Sequence, residues 1–293
     1  MRYLDGLRLA RLRGLRLDLR RYRAEGYLSG RHRSSQHGFS QEFSQHREYA
    51  PGDELRTLDW KVIARKDRFF VKQFQEDKSL ATYFLLDASG SMGFRSGGRD
   101  SKWDYACSLA MGMAYLVLEQ GDAAGLVAYS ARPRDMLPPR RSLGHLERMD
   151  RLLGGTVPDG AADLDAVLRR VLGDIHRRSL IIVLSDLLGD PAVLLKSLRA
   201  LRARRHELLV AQVLDPAERD LPYGGMLLFE GMEGPESLRC DVESLRRAYR
   251  EEFDREQLWR ESHFRKASIG HMTAYTDGAW NLSLARFLQI ANG

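Results

Sequence analysis

Short apolar runs alternate with amphipathic stretches from about residue 79 to the end of the chain. Continuous apolar runs bounded by turn residues are typical of strands buried in a parallel sheet. They predict strands at residues 82–87, 125–129, 180–186, 207–214 and 272–275. Helical periodicity predicts helices at residues 102–119, 143–153, 164–172, 192–204, 241–263 and 281–290. This alternation predicts an α/β fold, a doubly wound and mostly parallel sheet with helices on both faces.

The first 78 residues have a different pattern, with a Gly/Ser/Gln/His-rich stretch at residues 29–45 and then a dense charged block. We therefore divide the chain into an N-terminal extension, residues 1–78, and an α/β domain, residues 79–293. Leucines at helical spacing interleave with arginines at the start and predict a basic amphipathic helix (Leu4, Leu7, Leu12, Leu15 and Leu19). Such a helix either docks its leucines on the domain or binds nucleic acid or anionic membrane.

Composition narrows the class of protein. Of the 293 residues, 43% are hydrophobic and 29% are charged, as in soluble globular proteins. No apolar run is long enough to span a bilayer, and the arginine-rich start lacks the apolar segment of a secretory signal, so we expect a cytoplasmic protein. Cys107 and Cys240 are expected to be reduced thiols. The net charge is +6, but 40 acidic residues weaken the nucleic-acid alternative.

One carboxylate and two hydroxyls follow the first strand of the predicted sheet, as Asp87-x-Ser89-x-Ser91. Ligands of doubly wound folds bind at the carboxyl ends of strands, and Asp186 ends a later strand at the same rim. These oxygens suit Mg²⁺ or Mn²⁺, with Asp186 acting through water, and Gly90 is expected to let the loop turn tightly. An open position on the metal can accept a carboxylate from a partner protein. The alternative is that these residues only cap a helix and hold no metal.

Motifs for catalysis are missing from the sequence. It has no Gly-x-x-x-x-Gly-Lys phosphate loop, no Gly-x-Gly-x-x-Gly after a strand and no Gly-x-Ser-x-Gly. A phosphatase of the aspartyl-nucleophile type would need a second acid where Ser89 stands. We therefore predict that the protein is not an enzyme.

Two motifs resemble those of known families. Residues 87–92 (DASGSM) after an apolar strand, with Ser185-Asp186 on a later strand, resemble the metal-ion-dependent adhesion site of von Willebrand factor A domains. Residues 47–65 (REYAPGDELRTLDWKVIAR) are similar to the signature of the domain of unknown function 58 family, and residues 214–218 (LDPAE) fit a later motif of that family. The resemblance spans about residue 25 to the end of the chain.

The resemblance implies a von Willebrand factor A-like, Rossmann-like fold and a Mg²⁺ site at Asp87, Ser89 and Ser91. Members of the family are often encoded beside MoxR-type AAA+ ATPases and are thought to serve as their partners or adaptors. An adaptor role in chaperone-like assembly or maturation is therefore expected. Many members carry N-terminal hydrophobic anchors, which this sequence lacks, so it looks like a soluble member.

One segment departs from the family pattern. A Gly-Thr-Asp-Leu-like segment usually supplies a threonine as the third element of the metal site, and this chain has GAADL at residues 160–164. Ala162 takes the threonine position, and its methyl group cannot ligate a cation. Asp163 can substitute only if the loop shifts. A structural subunit with a vestigial metal site therefore stays open beside the metal-dependent adaptor.

Overall fold

The computed structural model describes residues 2–3, 5–12, 14–18, 42–49, 58–60, 62, 68–75, 81–131, 133–175 and 178–292. The chain divides into two compact units, one of Met1–Tyr22 with Leu80–Gly293 and one of Arg23–Ser79. The first 22 residues thus group with the α/β unit, unlike in the predicted division at residue 78. Most of the charged block at residues 47–65 lies outside the described residues.

The smaller unit contains one described hairpin, formed by strands β1 (Glu42–Glu48) and β2 (Phe70–Gln75). The two strands pair antiparallel, with Phe43 opposite Phe74. The α/β unit contains the remaining strands: β3 (Ala81–Asp87), β4 (Ala123–Tyr129), β5 (Pro133–Arg140), β6 (Ser179–Ser185), β7 (Glu207–Leu214), β8 (Met226–Glu230), β9 (Ser237–Asp241) and β10 (Gly270–Tyr275).

Six of these strands form the central sheet, in the spatial order β10-β7-β6-β3-β4-β5. All neighbours pair in parallel except β4 and β5, which are antiparallel. β5 was not predicted, because prolines at 133, 138 and 139 argue against a strand. An edge strand can contain proline, since one side of it has no neighbouring strand that needs its N–H groups. β8 and β9 form a separate antiparallel hairpin that was also not predicted.

The described helices connect the strands and cover the sheet: α1 (Gly6–Ala10), α2 (Lys102–Glu119), α3 (Gly144–Gly155), α4 (Leu164–Asp174), α5 (Pro191–Ala203), α6 (Pro216–Asp220), α7 (Val242–Lys266) and α8 (Trp280–Asn292). A short 3-10 helix spans Gly90–Gly93. None of the described helices combines the length and apolar character needed to cross a membrane.

Two hydrophobic clusters lie on opposite faces of the sheet. Along β3, Phe84 and Leu86 belong to the cluster that contains α2, α3 and α8. Tyr83 and Leu85, which alternate with them, belong to the cluster that contains α4, α5 and α7. Because successive side chains of a strand point to opposite faces, this division confirms the predicted doubly wound fold class. Cys107 and Cys240 are both free thiols, as predicted.

The start of the chain docks on the α/β unit, but the long helix predicted there is wrong. Helical structure ends at Ala10, and Gly14 has φ +85, a backbone conformation that interrupts a right-handed helix. Leu12 is nevertheless 1% exposed and packs in the α2 cluster. Arg2 forms an ion pair with Asp104. Leu4 and Leu19 of the predicted apolar face lie outside the described residues.

Candidate metal centre at the rim of the sheet

Two acidic side chains meet at the carboxyl ends of neighbouring strands. β3 ends at Asp87 and β6 ends at Ser185, and the strands are paired in register up to Leu86 and Leu184. The Ser185 hydroxyl therefore reaches Asp87 and donates to its Oδ2 at 2.6 Å. Asp186 follows directly, so the topology brings the second predicted acid to the same rim.

The loop after β3 adds two hydroxyls to this rim. The Ser89 backbone N–H donates to Asp87 Oδ1 at 2.9 Å, which closes a tight turn. Ser89 Oγ and Ser91 Oγ lie 3.1 Å apart, and the Ser91 hydroxyl donates to Asp186 Oδ2 at 2.7 Å. All four residues are at most 6% exposed. The structure thus brings Asp87, Ser89, Ser91 and Asp186 into one buried cluster.

Helix capping does not account for this cluster. α2 is capped by Ser101, whose hydroxyl accepts from the Asp104 N–H at 3.1 Å. Ser89 precedes the 3-10 helix but makes no side-chain capping hydrogen bond. The two serine hydroxyls instead interact with each other and with Asp186.

Gly90 is required by space rather than by backbone conformation, which corrects the expectation from sequence. Its φ lies outside the left-handed region. A Cβ at this position would come within 2.2 Å of the backbone carbonyl oxygen of Met232, in the turn between β8 and β9. The tip of the β8–β9 hairpin therefore sits directly on the loop that carries Ser89 and Ser91.

A buried lysine, not anticipated from sequence, completes the cluster. The ammonium of Lys102 lies 2.7 Å from Asp186 Oδ2 and 2.5 Å from Glu218 Oε1, and the Lys102 side chain is 0% exposed. Burial alone would lower the pKa of Lys102, but the two carboxylates outweigh it and raise that pKa above its ordinary value. The sequence does contain a signal for this ion pair. A cation in the first turn of a helix opposes the helix dipole and needs a compensating partner.

Glu218 is positioned by the motif at residues 214–218. Asp215 caps α6 by accepting from the Ala217 N–H at 2.9 Å, and the Glu218 carboxylate accepts from the Asp215 N–H at 2.7 Å. This capping box fixes Glu218 beside Lys102. Burial alone would raise the pKa of Asp215, but hydrogen bonds from Ser96 and from the Ala217 backbone lower it. The motif thus builds the wall of the cluster.

Asp163, the proposed substitute for the missing threonine, is not part of the cluster. Its carboxylate caps α4 by accepting from the Ala166 N–H at 2.8 Å. It makes no hydrogen bond to Asp87, Ser89, Ser91 or Asp186 in the described part of the chain. Its carboxylate is therefore engaged at the start of α4. Ala162 packs against the apolar cluster under α4 and α5.

Charge and donor type in the cluster fit a divalent cation. The Lys102 ammonium contacts the carboxylates of Asp186 and Glu218, and Asp87 adds a third carboxylate to the cluster; Arg260 is a second cation near Asp186. Burial and the neighbouring Asp186 raise the pKa of Asp87 to about 6. The 3.1 Å between Ser89 Oγ and Ser91 Oγ matches the edge of a Mg²⁺ octahedron, roughly 3.0 Å for ligands at about 2.1 Å.

Serine hydroxyls are indispensable to such a site. The described residues contain no group of three or more His, Cys, Asp or Glu side chains placed to hold a metal. A cation here would depend on Asp87, Ser89 and Ser91, with Asp186 behind Ser91 and water in the remaining positions. Mg²⁺ commonly retains several waters in proteins, so this small set of ligands is compatible with it.

The sequence matches a family of unknown function over most of its length. Residues 45–261 match the model described as protein of unknown function DUF58. The uncharacterized protein Rv1480 of Mycobacterium tuberculosis is 31% identical over 228 residues, 76% of this chain and 70% of that protein. The uncharacterized protein YeaD of Bacillus subtilis is 27% identical over 146 residues, 49% of this chain and 34% of that protein.

Several solved structures are similar to this chain at low sequence identity. An aerotolerance-related membrane protein of Bacteroides fragilis is 14% identical with a TM-score of 0.49, covering 73% of this chain and 99% of that one. BatB of Bacteroides thetaiotaomicron is 11% identical with a TM-score of 0.46, covering 73% and 100%. The SpRpn10 VWA domain is 11% identical with a TM-score of 0.45, covering 73% and 98%. The fold class stated above rests on the chain's own sheet order.

Proposed function

This chain belongs to the DUF58 family, and we propose that it is a non-catalytic adaptor that binds a protein partner in a metal-dependent manner. The site is the rim formed by Asp87, Ser89, Ser91 and Asp186. The partner that we propose, following the family resemblance, is a MoxR-type AAA+ ATPase, and the process is chaperone-like assembly or maturation. The supporting observation is the buried Asp87 carboxylate beside two hydroxyls spaced as metal ligands.

The hydrogen bonds of the rim prepare its oxygens for a cation. Ser91 donates its proton to Asp186, so Ser89 is the donor in the Ser89–Ser91 contact and the lone pairs of the Ser89 oxygen remain available. Ser185 and the Ser89 N–H hold the Asp87 carboxylate in one orientation. A Mg²⁺ or Mn²⁺ ion at these oxygens supplies an open coordination position for a carboxylate of the partner. Lys102 anchors Asp186 from the side of α2.

The geometry favours binding over catalysis. Ser91 donates to a carboxylate, and the Ser89 hydroxyl interacts with Ser91 and with Asp87, so neither serine is paired with a histidine base in the described part of the chain. Asp87 is engaged by two donors and lies 2% exposed. Among the described residues, the rim therefore lacks the nucleophile and base pair of a hydrolase.

The test is capture of the partner ATPase by the full chain with Mg²⁺ and with EDTA. Asp87→Ala is expected to abolish the Mg²⁺-dependent capture. Asp277→Ala, which changes an exposed aspartate after β10, is the matched control and should bind as the wild type does. Capture of the same partner in EDTA, or by Asp87→Ala, would remove the metal from the mechanism.

A second measurement examines the metal without any partner. Mg²⁺ that binds only the folded chain raises its stability by about 2.7 kcal/mol when present at about 100 times its Kd. Thermal melts of the wild type should therefore shift upward with Mg²⁺. Asp87→Asn keeps the size of the side chain and should show no Mg²⁺ shift. Equal shifts in both proteins would contradict the proposed ligand.

A further inference from the structure

An apolar groove adjoins the rim, between the β8–β9 hairpin and helices α6 and α7. Its volume is about 780 Å³. Apolar and aromatic side chains from both sides form most of its walls: Leu227, Phe229 and Leu238 from the hairpin, and Tyr223, Leu245 and Tyr249 from the other side. The groove is large enough to accept several side chains of a peptide.

The apolar face of the hairpin is incompletely covered by the described residues. Cross-strand pairing places Phe229 opposite Leu238, so both point to the groove. Leu238 is nevertheless 58% exposed, and Leu188 and Met232, which also line the groove, are 59% and 49% exposed. Exposed apolar side chains that line one groove are typical of an interaction site.

The charges around the groove indicate the chemistry of the occupant. Four glutamates line it, Glu218, Glu230, Glu233 and Glu236, and no Lys, Arg or His is among its described lining residues. Glu218 is paired with Lys102, whereas Glu230, Glu233 and Glu236 form no ion pair with a described residue. The whole chain has a net charge of +6, so this acidic lining runs against its average charge. It attracts a basic segment and repels nucleic acid and anionic lipid.

The groove is continuous with the candidate metal centre. Ser91 and Glu218 line both, and the hairpin tip that closes the groove touches the loop at Gly90. We propose that the groove binds a short apolar segment of the partner protein that is flanked by lysines or arginines. This inference rests on the proposed function in that the rim and the groove face the same partner.

The test uses a fluorescein-labelled, amidated peptide of alternating leucine and lysine, which contains no carboxylate. Its binding to the full chain is followed by fluorescence anisotropy. Leu238→Ser removes an exposed wall of the groove and is expected to weaken binding about tenfold, the loss typical of an interface anchor. Leu258→Ser, which changes a 66% exposed leucine of α7 outside the groove, is the matched control and should leave the affinity unchanged.

Charge is tested with Glu230→Lys, which should also weaken binding, against Glu147→Lys on α3, which should not. Equal affinity of Leu238→Ser and the wild type would overturn the proposal. So would equal binding of a serine–lysine peptide, since charge alone would then suffice. Sedimentation showing self-association that Leu238→Ser abolishes would assign the groove to a second copy and also overturn it.

The outcomes separate the groove from the metal. Because the peptide lacks carboxylates, its binding should persist in EDTA and with Asp87→Ala. Persistent peptide binding together with metal-independent capture of the ATPase would overturn only the proposed metal bridge. Metal-dependent capture without peptide binding to the groove would overturn only the groove proposal.

Discussion

Replacing Lys102 by methionine removes one ammonium from two carboxylates and keeps a side chain of similar length. The Lys102 and Asp186 side chains are 0% and 1% exposed, so water cannot take over the lost contacts. Removing one partner of a buried ion pair costs about 3–5 kcal/mol, because the remaining charge is left uncompensated. For a chain of this size that loss lowers the melting temperature by roughly 6–20 °C.

The assay is thermal and urea denaturation of Lys102→Met in EDTA, so that no cation replaces the ammonium. Lys196→Met, which changes an exposed lysine of α5, is the control and should melt as the wild type does. The raised pKa of Lys102 means that its contribution is complete below the unfolded value of about 10.5 and is lost only as pH rises through the folded value. The difference in stability between Lys102→Met and the wild type should therefore be constant around neutral pH.

A double-mutant cycle identifies the partner of the ammonium. The double variant Lys102→Met/Asp186→Asn no longer has the unpaired charge of Asp186. Its loss of unfolding free energy should therefore be smaller than the sum of the losses in the two single variants, by about 1 kcal/mol or more. The contact between Lys102 and Asp186 is refuted if Lys102→Met has the same melting temperature as the wild type. Strict additivity of the two substitutions would equally show that Lys102 does not compensate Asp186.

Two further predictions concern the hairpin and β10. Gly90→Ala places a methyl group 2.2 Å from the Met232 carbonyl oxygen, so we expect the free energy of unfolding to fall by about 1–3 kcal/mol and the hairpin to be cleaved faster by proteases. Gly155→Ala places its methyl group in open space and should change neither quantity. Unchanged proteolysis of Gly90→Ala would contradict the contact. Burial and Arg260 lower the pKa of His271 from 6.5 to about 4. Between these two pH values the unfolded chain binds a proton that the folded chain does not, so the free energy of unfolding falls as pH drops from 6.5 to 4, by on the order of 3 kcal/mol. His271→Phe should flatten this part of a urea-denaturation profile, and an unchanged slope would refute it.

The parts of the fold that could be predicted are those with a local signal. α2 begins and ends at the predicted residues because Ser101 provides a cap and an apolar pattern follows it. Four strands of the central sheet, β3, β4, β6 and β7, contain continuous apolar runs. β9, by contrast, is mostly exposed and half polar, so it lacks the pattern of a buried strand. β5 contains three prolines and is recognisable only from its position at the sheet edge.

The candidate site divides in the same way. Asp87, Ser89 and Ser91 are close in sequence, and Asp186 could be placed because parallel strands end at one rim. Lys102 and Glu218 could not be placed, because they are 116 residues apart and meet only through the packing of α2 and α6. Asp163, expected to act as a ligand only if its loop shifts, has a carboxylate that caps α4 in this structure.

The ion pairs of Lys102 have a thermodynamic consequence for the two proposed sites. One ammonium is shared between Asp186 at the rim and Glu218 in the wall of the groove. An occupant of the groove that breaks the contact between Glu218 and Lys102 leaves the ammonium paired with Asp186 alone. This changes the electrostatic potential at the rim. Linkage then requires reciprocity, so that a cation at the rim alters the affinity of the groove by the same factor. Measuring either affinity in the presence of the other ligand therefore reports on both.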